Sequence, residues 1–264
     1  MMNWNEHLSE YLKANFNPGK VSEAAIKWVR EWFKENGPAS YAVIGISGGK
    51  DSTTVAYLCT QALGRDRVFG VLMPDHEQSD IEVSKAVVEF LGIDHAIVNV
   101  GKTTDAVKAG ISCAEIFSKS KREITQTPQM MTNIAPRVRM TTLYAISQTM
   151  NGRVSNNCNA SENFVGYSTV FGDAAGDFSL LRKLTFAEII TMGEYLGIPD
   201  EFIHKAPSDG LTGKTDEDNF GFTYEDLDTY ILTGFCKSEE LRERIEKRHN
   251  ANLFKLNPMP VFIP

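Results

Sequence analysis

The sequence predicts an α/β fold in which a doubly wound parallel sheet is flanked by helices. Strand-like and helix-like segments alternate across residues 41–160, which is the pattern of βαβ units. The first strand-like run, Tyr-Ala-Val-Ile-Gly-Ile at 41–46, suits a strand that is buried on both faces. Ligands bind such sheets beyond the carboxyl ends of the strands. Functional residues are therefore expected in the loops after positions 46, 73, 100 and 159.

The elements follow from apolar periodicity and from glycine and proline positions. Two N-terminal helices are predicted over 5–16 and 22–36, the second ended by Gly37-Pro38. The predicted strands are 41–46, 67–73, 95–100 and 153–159. The remaining predicted helices are 51–63, 81–92, 102–119, 129–150, 185–196, 199–205, 223–233 and 238–249. Pro128 and Pro136 are expected to interrupt the join between the helices at 102–119 and 129–150.

Length and composition indicate one ordinary globular domain. The 264 residues predict a single domain over 1–264, with N-terminal helices in 1–38 and a helical C-terminal part in 185–264. Lys and Arg number 27 and Asp and Glu 34, so the net charge is −7, which argues against nucleic acid as a partner. No apolar stretch reaches the roughly 18 residues of a membrane span. The N-terminus does not resemble a signal peptide, and we expect a cytoplasmic protein.

The four cysteines argue against a structural zinc site or a redox motif. They are Cys59, Cys113, Cys158 and Cys236, and none forms a C-x-x-C pair. Free thiols in a reducing compartment are expected.

A glycine-rich loop, Ser47-Gly48-Gly49-Lys50-Asp51-Ser52, joins the first predicted strand to the next helix. Its glycines permit a tight turn, and the amides that follow lie at a helix N-terminus, where an anion binds favourably. The sequence thus favours a phosphate-binding loop, although a plain turn with an Asp or Ser N-cap is the alternative.

Two better-known nucleotide signatures do not match. G-x-x-x-x-G-K-[ST] fails because Asp51 follows Lys50 and Ile44 occupies the first glycine position. The run 208–215 is a near miss with Ser208 at the first glycine, and G-x-G-x-x-G is absent.

All six residues of the loop match the S-G-G-x-D-S motif of the pyrophosphatase-type (PP-loop) ATP enzymes, which the sequence therefore resembles. Those enzymes cut ATP between the α and β phosphates. The resemblance implies that Asp51 binds Mg²⁺, and Mg²⁺ usually takes one or two carboxylates together with phosphate oxygens.

Further segments resemble the ammonia-dependent NAD synthetases in order and spacing, over about residues 20–260. They are Gln78 with Asp80, Ala135–Met140, Ser161–Asp177, His204–Asp209 and Thr215–Asp228. The implied fold is adenine nucleotide alpha-hydrolase-like and Rossmann-like.

The resemblance implies ATP-dependent amidation of deamido-NAD with ammonia, through an adenylated intermediate, in a homodimer. The length leaves no room for a glutaminase domain, so ammonia is expected free or from a separate glutaminase. The alternatives are another carboxylate-adenylating amidase, a tRNA-thiolating member of the superfamily, or a degenerate nucleotide-binding module.

Site residues are carried over position by position. Ser47 and Asp51 are the candidate catalytic residues, and Asp51 and Glu162 the metal ligands. Arg137, Asp177 and Lys255 match positions that hold deamido-NAD. The ATP-binding positions are Gly45, Ile46, Ser47, Gly48, Gly49, Lys50, Asp51, Ser52, Gln78, Asn157 and Ser208.

Several family donor positions carry other residues here. They are Leu72, Val170, Phe186 and Phe254, with Asn156-Asn157 in place of Gly-Thr. Other cations are expected to replace the lost ones, with Lys50, Lys183, Lys205 and Lys214 as candidates, unless the ligand is less charged or binds in another pose. The acidic run 215–218 is either a second metal or ammonium site or a helix N-terminal charge cluster.

Overall fold

The computed structural model describes residues 4–78, 80–114, 127–205, 215–257 and 260–263. Within these residues, five parallel strands form one sheet in the order β3-β2-β1-β4-β5. The strands are β1 (Tyr41–Gly45), β2 (Val68–Leu72), β3 (Asp94–Ile97), β4 (Gly152–Asn156) and β5 (Phe178–Ser179). The predicted fold class is confirmed, and β5 adds a short strand to the four that were predicted.

Helices cover both faces of the sheet. Side chains alternate along β1, so that Ala42 and Ile44 join the large core beneath one set of helices while Val43 packs with α6 on the opposite face. The helices of the described chain are α1 (Glu6–Asn15), α2 (Pro18–Asn36), α3 (Lys50–Leu63), α4 (Ile81–Leu91), α5 (Gly101–Ser112), α6 (Pro128–Thr149), α7 (Ala160–Phe164), α8 (Phe186–Tyr195), α9 (Asp200–Ile203), α10 (Asp216–Phe220), α11 (Tyr224–Thr233) and α12 (Glu239–Leu256).

The expected break at Pro136 is wrong, because α6 continues through this proline. A proline inside a helix removes one hydrogen bond and crowds the preceding turn. Here the neighbouring Ile134, Met140 and Leu143 are buried, and burial of this apolar face stabilises the helix across the defect. The C-terminal helix was also predicted too short, since α12 extends to Leu256.

Two further sequence predictions concern the chain as a whole. The four cysteines are free thiols, as expected. In the described part of the chain, no helix is both long and apolar enough to cross a membrane.

The site lies where the chain reverses its direction of progress across the sheet. Strand β1 pairs with β2 on one side and with β4 on the other. The loops that follow β1 and β4 therefore diverge at one edge and leave a crevice between them, which is where open α/β sheets bind ligands.

Candidate active site

A cavity of about 860 Å³ opens at the carboxyl edge of the sheet. It is large enough for a nucleotide together with a second small molecule. The predicted site residues that line it are Gly45, Ile46, Ser47, Gly49, Lys50, Asp51, Ser52, Gln78, Asn157, Glu162 and Lys255. The structure thus brings together most of the residues that the resemblance assigned to ATP and metal.

The glycine-rich loop presents a helix N-terminus to the cavity. Gly49 is the N-cap of α3 and has no side chain with which to cap the first-turn N–H groups, so these are available to an anion. The Ser52 hydroxyl fixes the turn: it accepts from the Ser47 N–H at 3.2 Å and lies 3.1 Å from the Ser47 hydroxyl. Asn157 secures the loop from the side, because its amide donates to the Gly45 carbonyl at 3.1 Å.

The loop contains an ion pair between a buried lysine and a half-buried aspartate. Lys50 is only 4% exposed, and its Nζ lies 2.7 Å from Oδ2 of Asp51. Burial alone would lower the pKa of Lys50, but the charges of Asp51 and Glu162 outweigh it and raise the pKa above its ordinary value. The side chain is therefore an ammonium ion inside the cavity.

Asn159 connects the two predicted metal ligands. It caps α7, accepting from the Glu162 N–H at 2.8 Å and donating its own N–H to Oε2 of Glu162 at 3.0 Å. Its side-chain amide also donates to Oδ1 of Asp51 at 3.4 Å. One fully buried asparagine thus sets the positions of two carboxylates from distant parts of the sequence.

The two carboxylates suit a divalent cation. Burial raises the pKa of Glu162 well above its ordinary value, and the nearby Asp51 raises it further. A metal ion reverses this effect, because its charge favours the ionised carboxylates. No group of three or more His, Cys, Asp or Glu able to hold a metal occurs among the described residues. A two-carboxylate site fits Mg²⁺, which completes its shell with phosphate oxygens and water.

Behind Glu162, a buried carboxyl group joins three helices. The Asp228 side chain in α11 accepts from the Ser161 hydroxyl of α7 and from the Ala187 N–H of α8 at 2.7 Å. Complete burial raises the pKa of Asp228 to about 7, although these hydrogen bonds oppose the shift.

Replacement of Asp228 by Asn is expected to alter the pH dependence of stability. Between the ordinary pKa of 3.8 and the raised value of about 7, the folded chain retains a proton that the unfolded chain releases. This group's contribution to stability is thus complete below pH 4 and is lost as the pH rises towards 7. Raising the pKa of this carboxyl from 3.8 to about 7 corresponds to roughly 4 kcal/mol of unfolding free energy.

The measurement is urea unfolding of wild type and Asp228→Asn at pH 5 and pH 8. From pH 5 to pH 8, the difference in unfolding free energy between variant and wild type should shift by a few kcal/mol in favour of the variant. Asp226→Asn on the same helix, where the carboxylate faces Lys237, controls for loss of an acidic group. An equal difference between variant and wild type at both pH values would contradict the assignment.

A second charged group borders the cavity near β2. Lys205 bonds to Oδ2 of Asp80, and the Gln78 amide donates to Oδ1 of the same carboxylate at 2.7 Å. Burial of Asp80 opposes ionisation, but the bonds to Lys205 and Gln78 dominate and lower its pKa. Of the four candidate replacement lysines, Lys50 and Lys205 line the cavity, Lys183 is exposed outside it, and Lys214 lies outside the described residues.

Helix α12 supplies a basic wall on the opposite side. Lys255 donates to the carbonyls of Gly166 and Ser168 at 2.7 and 3.1 Å. Arg248, two turns earlier on the same helix, donates to the Asn219 carbonyl and has its guanidinium 5.3 Å from the Phe220 ring centroid. Both cations line the cavity.

The apolar residues at family donor positions have distinct surroundings. Phe186 is buried with its ring under the Lys50 ammonium, 4.1 Å from Nζ to the ring centroid. Leu72 is fully buried in the sheet, whereas Phe254 is 70% exposed. The carbonyl of Val170 accepts from Nε of Arg137 at 3.2 Å.

Among the described residues, the predicted ligand positions Gly48, Arg137 and Asp177 do not line the cavity. Arg137 is exposed outside it. The Asp177 carboxylate accepts from the Val154 N–H at 2.7 Å and from the Tyr144 hydroxyl at 3.1 Å. Ser208 lies outside the described residues. Roles for these four residues in ligand binding stay predictions.

Sequence reasoning missed Arg139, which lines the cavity and donates to the Met73 carbonyl at 3.0 Å. Residues two positions apart on a helix point about 200° apart. Of the two arginines in Ala-Pro-Arg-Val-Arg-Met, one should therefore face the sheet edge while the other faces away. The structure assigns the cavity-facing position to Arg139.

The acidic run 215–218 begins helix α10. Thr215 and Asp218 form a capping box, as expected for a helix N-terminal charge cluster. Asp216, however, is buried and lines the cavity, where its Oδ2 accepts from the Tyr224 hydroxyl at 3.0 Å.

A parallel sheet with the S-G-G-x-D-S loop at the carboxyl end of its first strand is the arrangement of the PP-loop class of α/β proteins. The chain belongs to the NAD synthase family, whose sequence model matches residues 21–258. The NH3-dependent NAD(+) synthetase of Pyrococcus furiosus is 36% identical in an alignment 239 positions long, which covers 85% of this chain and 88% of the relative.

Solved structures show the same fold. The NMN synthetase from Francisella tularensis matches with a TM-score of 0.83 and 30% identity, covering 94% of this chain and 99% of that chain. The NH3-dependent NAD synthetase from Campylobacter jejuni matches with a TM-score of 0.73 and 28% identity, covering 94% and 100%. The predicted family and fold are thus confirmed.

Proposed function

We propose that this chain is an ammonia-dependent NAD⁺ synthase that converts deamido-NAD, ATP and ammonia into NAD, AMP and pyrophosphate. The observation that carries this function is the cavity at the carboxyl edge of the sheet, in which the helix N-terminus of the glycine-rich loop adjoins the Asp51–Glu162 pair. The names of the relatives, and the share of each chain that aligns with this one, support the proposal.

The reaction has two steps. A nicotinate carboxylate oxygen attacks the α-phosphorus of ATP, and the bond from that phosphorus to pyrophosphate breaks. Ammonia then attacks the acyl carbon, AMP leaves with the bonding electron pair, and the nitrogen loses a proton to give the amide.

The chain contributes positioning and electrostatic stabilisation. The first-turn amides of α3, with the hydroxyls of Ser47 and Ser52, bind the phosphates in place of water. The Lys50 ammonium offsets negative charge that develops on the leaving pyrophosphate. On the outer side, Arg139 and Lys255 are positioned to bind the nicotinate-bearing substrate.

Asp51 and Glu162 are the residues that would hold Mg²⁺. When bound, this ion neutralises phosphate charge and orients the phosphate oxygens. We also propose a homodimer, as the resemblance implies, with ammonia taken free or from a separate glutaminase.

A second candidate substrate is nicotinate mononucleotide. The structural match to an NMN synthetase has a TM-score of 0.83. In addition, two positions that the resemblance assigns to the dinucleotide carry Val170 and Phe254, which cannot donate side-chain hydrogen bonds. A smaller, less charged substrate needs fewer such donors, and its amidation uses the same two steps.

The test measures pyrophosphate release and amide product with ATP, Mg²⁺ and ammonium, for each of the two nicotinate substrates separately. The proposal expects deamido-NAD to give the larger kcat/KM, with one pyrophosphate and one AMP per NAD. A larger value for the mononucleotide would move the assignment to the second candidate. Absence of substrate-stimulated pyrophosphate with both would exclude this amidation.

A further inference from the structure

Lys50 of the glycine-rich loop has a buried side chain that is 4% exposed. Its ammonium does not extend into solvent but lies over two aromatic rings, 4.1 Å from the Phe186 centroid and 5.6 Å from the Tyr224 centroid. These rings stack on each other with centroids 4.2 Å apart. Ring faces attract a cation, so this pair holds the ammonium inside the cavity.

Three buried or half-buried carboxylates from separate helices act on this ammonium. They are Asp51 of α3, Glu162 of α7 and Asp216 of α10, and each favours the charged form of Lys50. The contact with Asp51 is direct, at 2.7 Å. Lys50 therefore neutralises the same carboxylate that is the first metal-ligand candidate.

We propose that Lys50 is a resident counter-ion that competes with the divalent cation for Asp51, and that it leaves this carboxylate when ATP offers its phosphates in exchange. This inference rests on the proposed function, since it assigns the metal and ATP to this cavity. It also predicts that metal and nucleotide bind together, because the metal displaces Lys50 from Asp51 and the phosphates then pair with the displaced ammonium.

The physical reason is the cost of an unpaired buried charge. A metal ion that arrives alone must push the ammonium off Asp51, and the aromatic rings and the remaining carboxylates then compensate it only in part. When the phosphates are present, the displaced ammonium gains charge-assisted hydrogen bonds to them. Divalent cations should thus bind weakly to the free protein.

The experiment titrates the full chain with Mn²⁺ alone and follows the free ion by electron paramagnetic resonance. Lys50→Met removes the charge and keeps most of the length of the side chain, and we expect it to bind Mn²⁺ at least tenfold more tightly than wild type. Lys205→Met removes a cation from the same cavity that is bonded to Asp80 instead, and its affinity should stay within about twofold.

Equal Mn²⁺ affinity in wild type and Lys50→Met overturns the proposal. An equal gain in Lys205→Met also overturns it, because the effect is then the net charge of the cavity. If Lys50→Met is destabilised, thermal unfolding replaces the titration. Mn²⁺ should then raise the Tm of this variant more than that of wild type, and an equal rise counts against the proposal.

The titration contains no ATP or nicotinate substrate, so its result is separate from the test of the amidation. If Lys50→Met binds Mn²⁺ more tightly than wild type but neither substrate gives an amide product, the competition for Asp51 stands and the proposed amidation is wrong. If an amide product forms but the two proteins bind Mn²⁺ equally, the amidation stands and the competition is wrong.

Discussion

Replacement of Asp51 by Asn is expected to lower kcat/KM by about 10³-fold while the chain stays folded. Asp51 is the carboxylate at which the Lys50 ammonium, the Asn159 amide and the proposed metal site meet. A bound metal supplies several kcal/mol of charge stabilisation to phosphoryl transfer, and about 4 kcal/mol corresponds to a factor of 10³. The fold should persist because Glu162 and Asp216 still compensate Lys50.

The rate is measured as pyrophosphate release with saturating Mg²⁺, and folding by circular dichroism and urea unfolding. Asp226→Asn is the matched control. Asp226 does not line the cavity, and its carboxylate lies 2.8 Å from the Lys237 ammonium. This control should turn over like wild type. Undiminished activity in Asp51→Asn would remove Asp51 from the metal site.

The glycine-rich loop and the sheet could be predicted because their signals are local. The run at 41–46 is apolar throughout, and the residues that fold it into β1 adjoin the residues that form the loop. Asn157 and Glu162 were assigned to the site by the family resemblance. Parallel strands bring the ends of β1 and β4 to one edge, which is why functional residues were expected in the loops after positions 46 and 159. That expectation needs only element types and their order.

The contacts that assemble the carboxylates could not be predicted in this way. Asn159 bonds to Asp51 across 108 positions, and α7, which carries Glu162, has five residues. A helix of that length shows less than two turns of periodicity, so no apolar pattern marks it. Its start is marked only by the capping pair Asn159 and Glu162, a signal that is recognisable once the helix is known.

Phe186 shows how a substitution that suggests lost function has another meaning in three dimensions. By sequence, an apolar residue at a family lysine position is a lost cation. In the structure, its ring lies under the ammonium of Lys50, 136 positions earlier in the chain. The cation at this point of the cavity comes from the loop, and the phenyl ring supports it. A single sequence does not reveal such an exchange, because the two residues meet only after folding.

Replacement of Gly48 by Ala is expected to lower kcat/KM by at least about 100-fold, mainly through weaker ATP binding. Gly48 has a φ of +77°, and an added Cβ would lie 3.0 Å from the Ser84 backbone nitrogen and 3.2 Å from Cγ1 of Val83. Both neighbours belong to the first turn of α4, which is held by the sheet and cannot easily yield. The loop must therefore move, and a displacement of about 1 Å in a positioned group costs about 10²-fold in rate.

Gly64→Ala separates this collision from backbone strain. The glycine-rich loop leads into α3, and Gly64 follows the last residue of that helix. Gly64 has a φ of +84°, and no atom lies within 4 Å of an added Cβ. Its substitution should cost about 1–3 kcal/mol of stability from strain and leave the KM for ATP unchanged. If Gly64→Ala impaired ATP binding as much as Gly48→Ala, strain transmitted through α3 would explain both. A loss confined to Gly48→Ala makes the close packing of the loop on α4 the cause, and with it the reason that this position requires glycine.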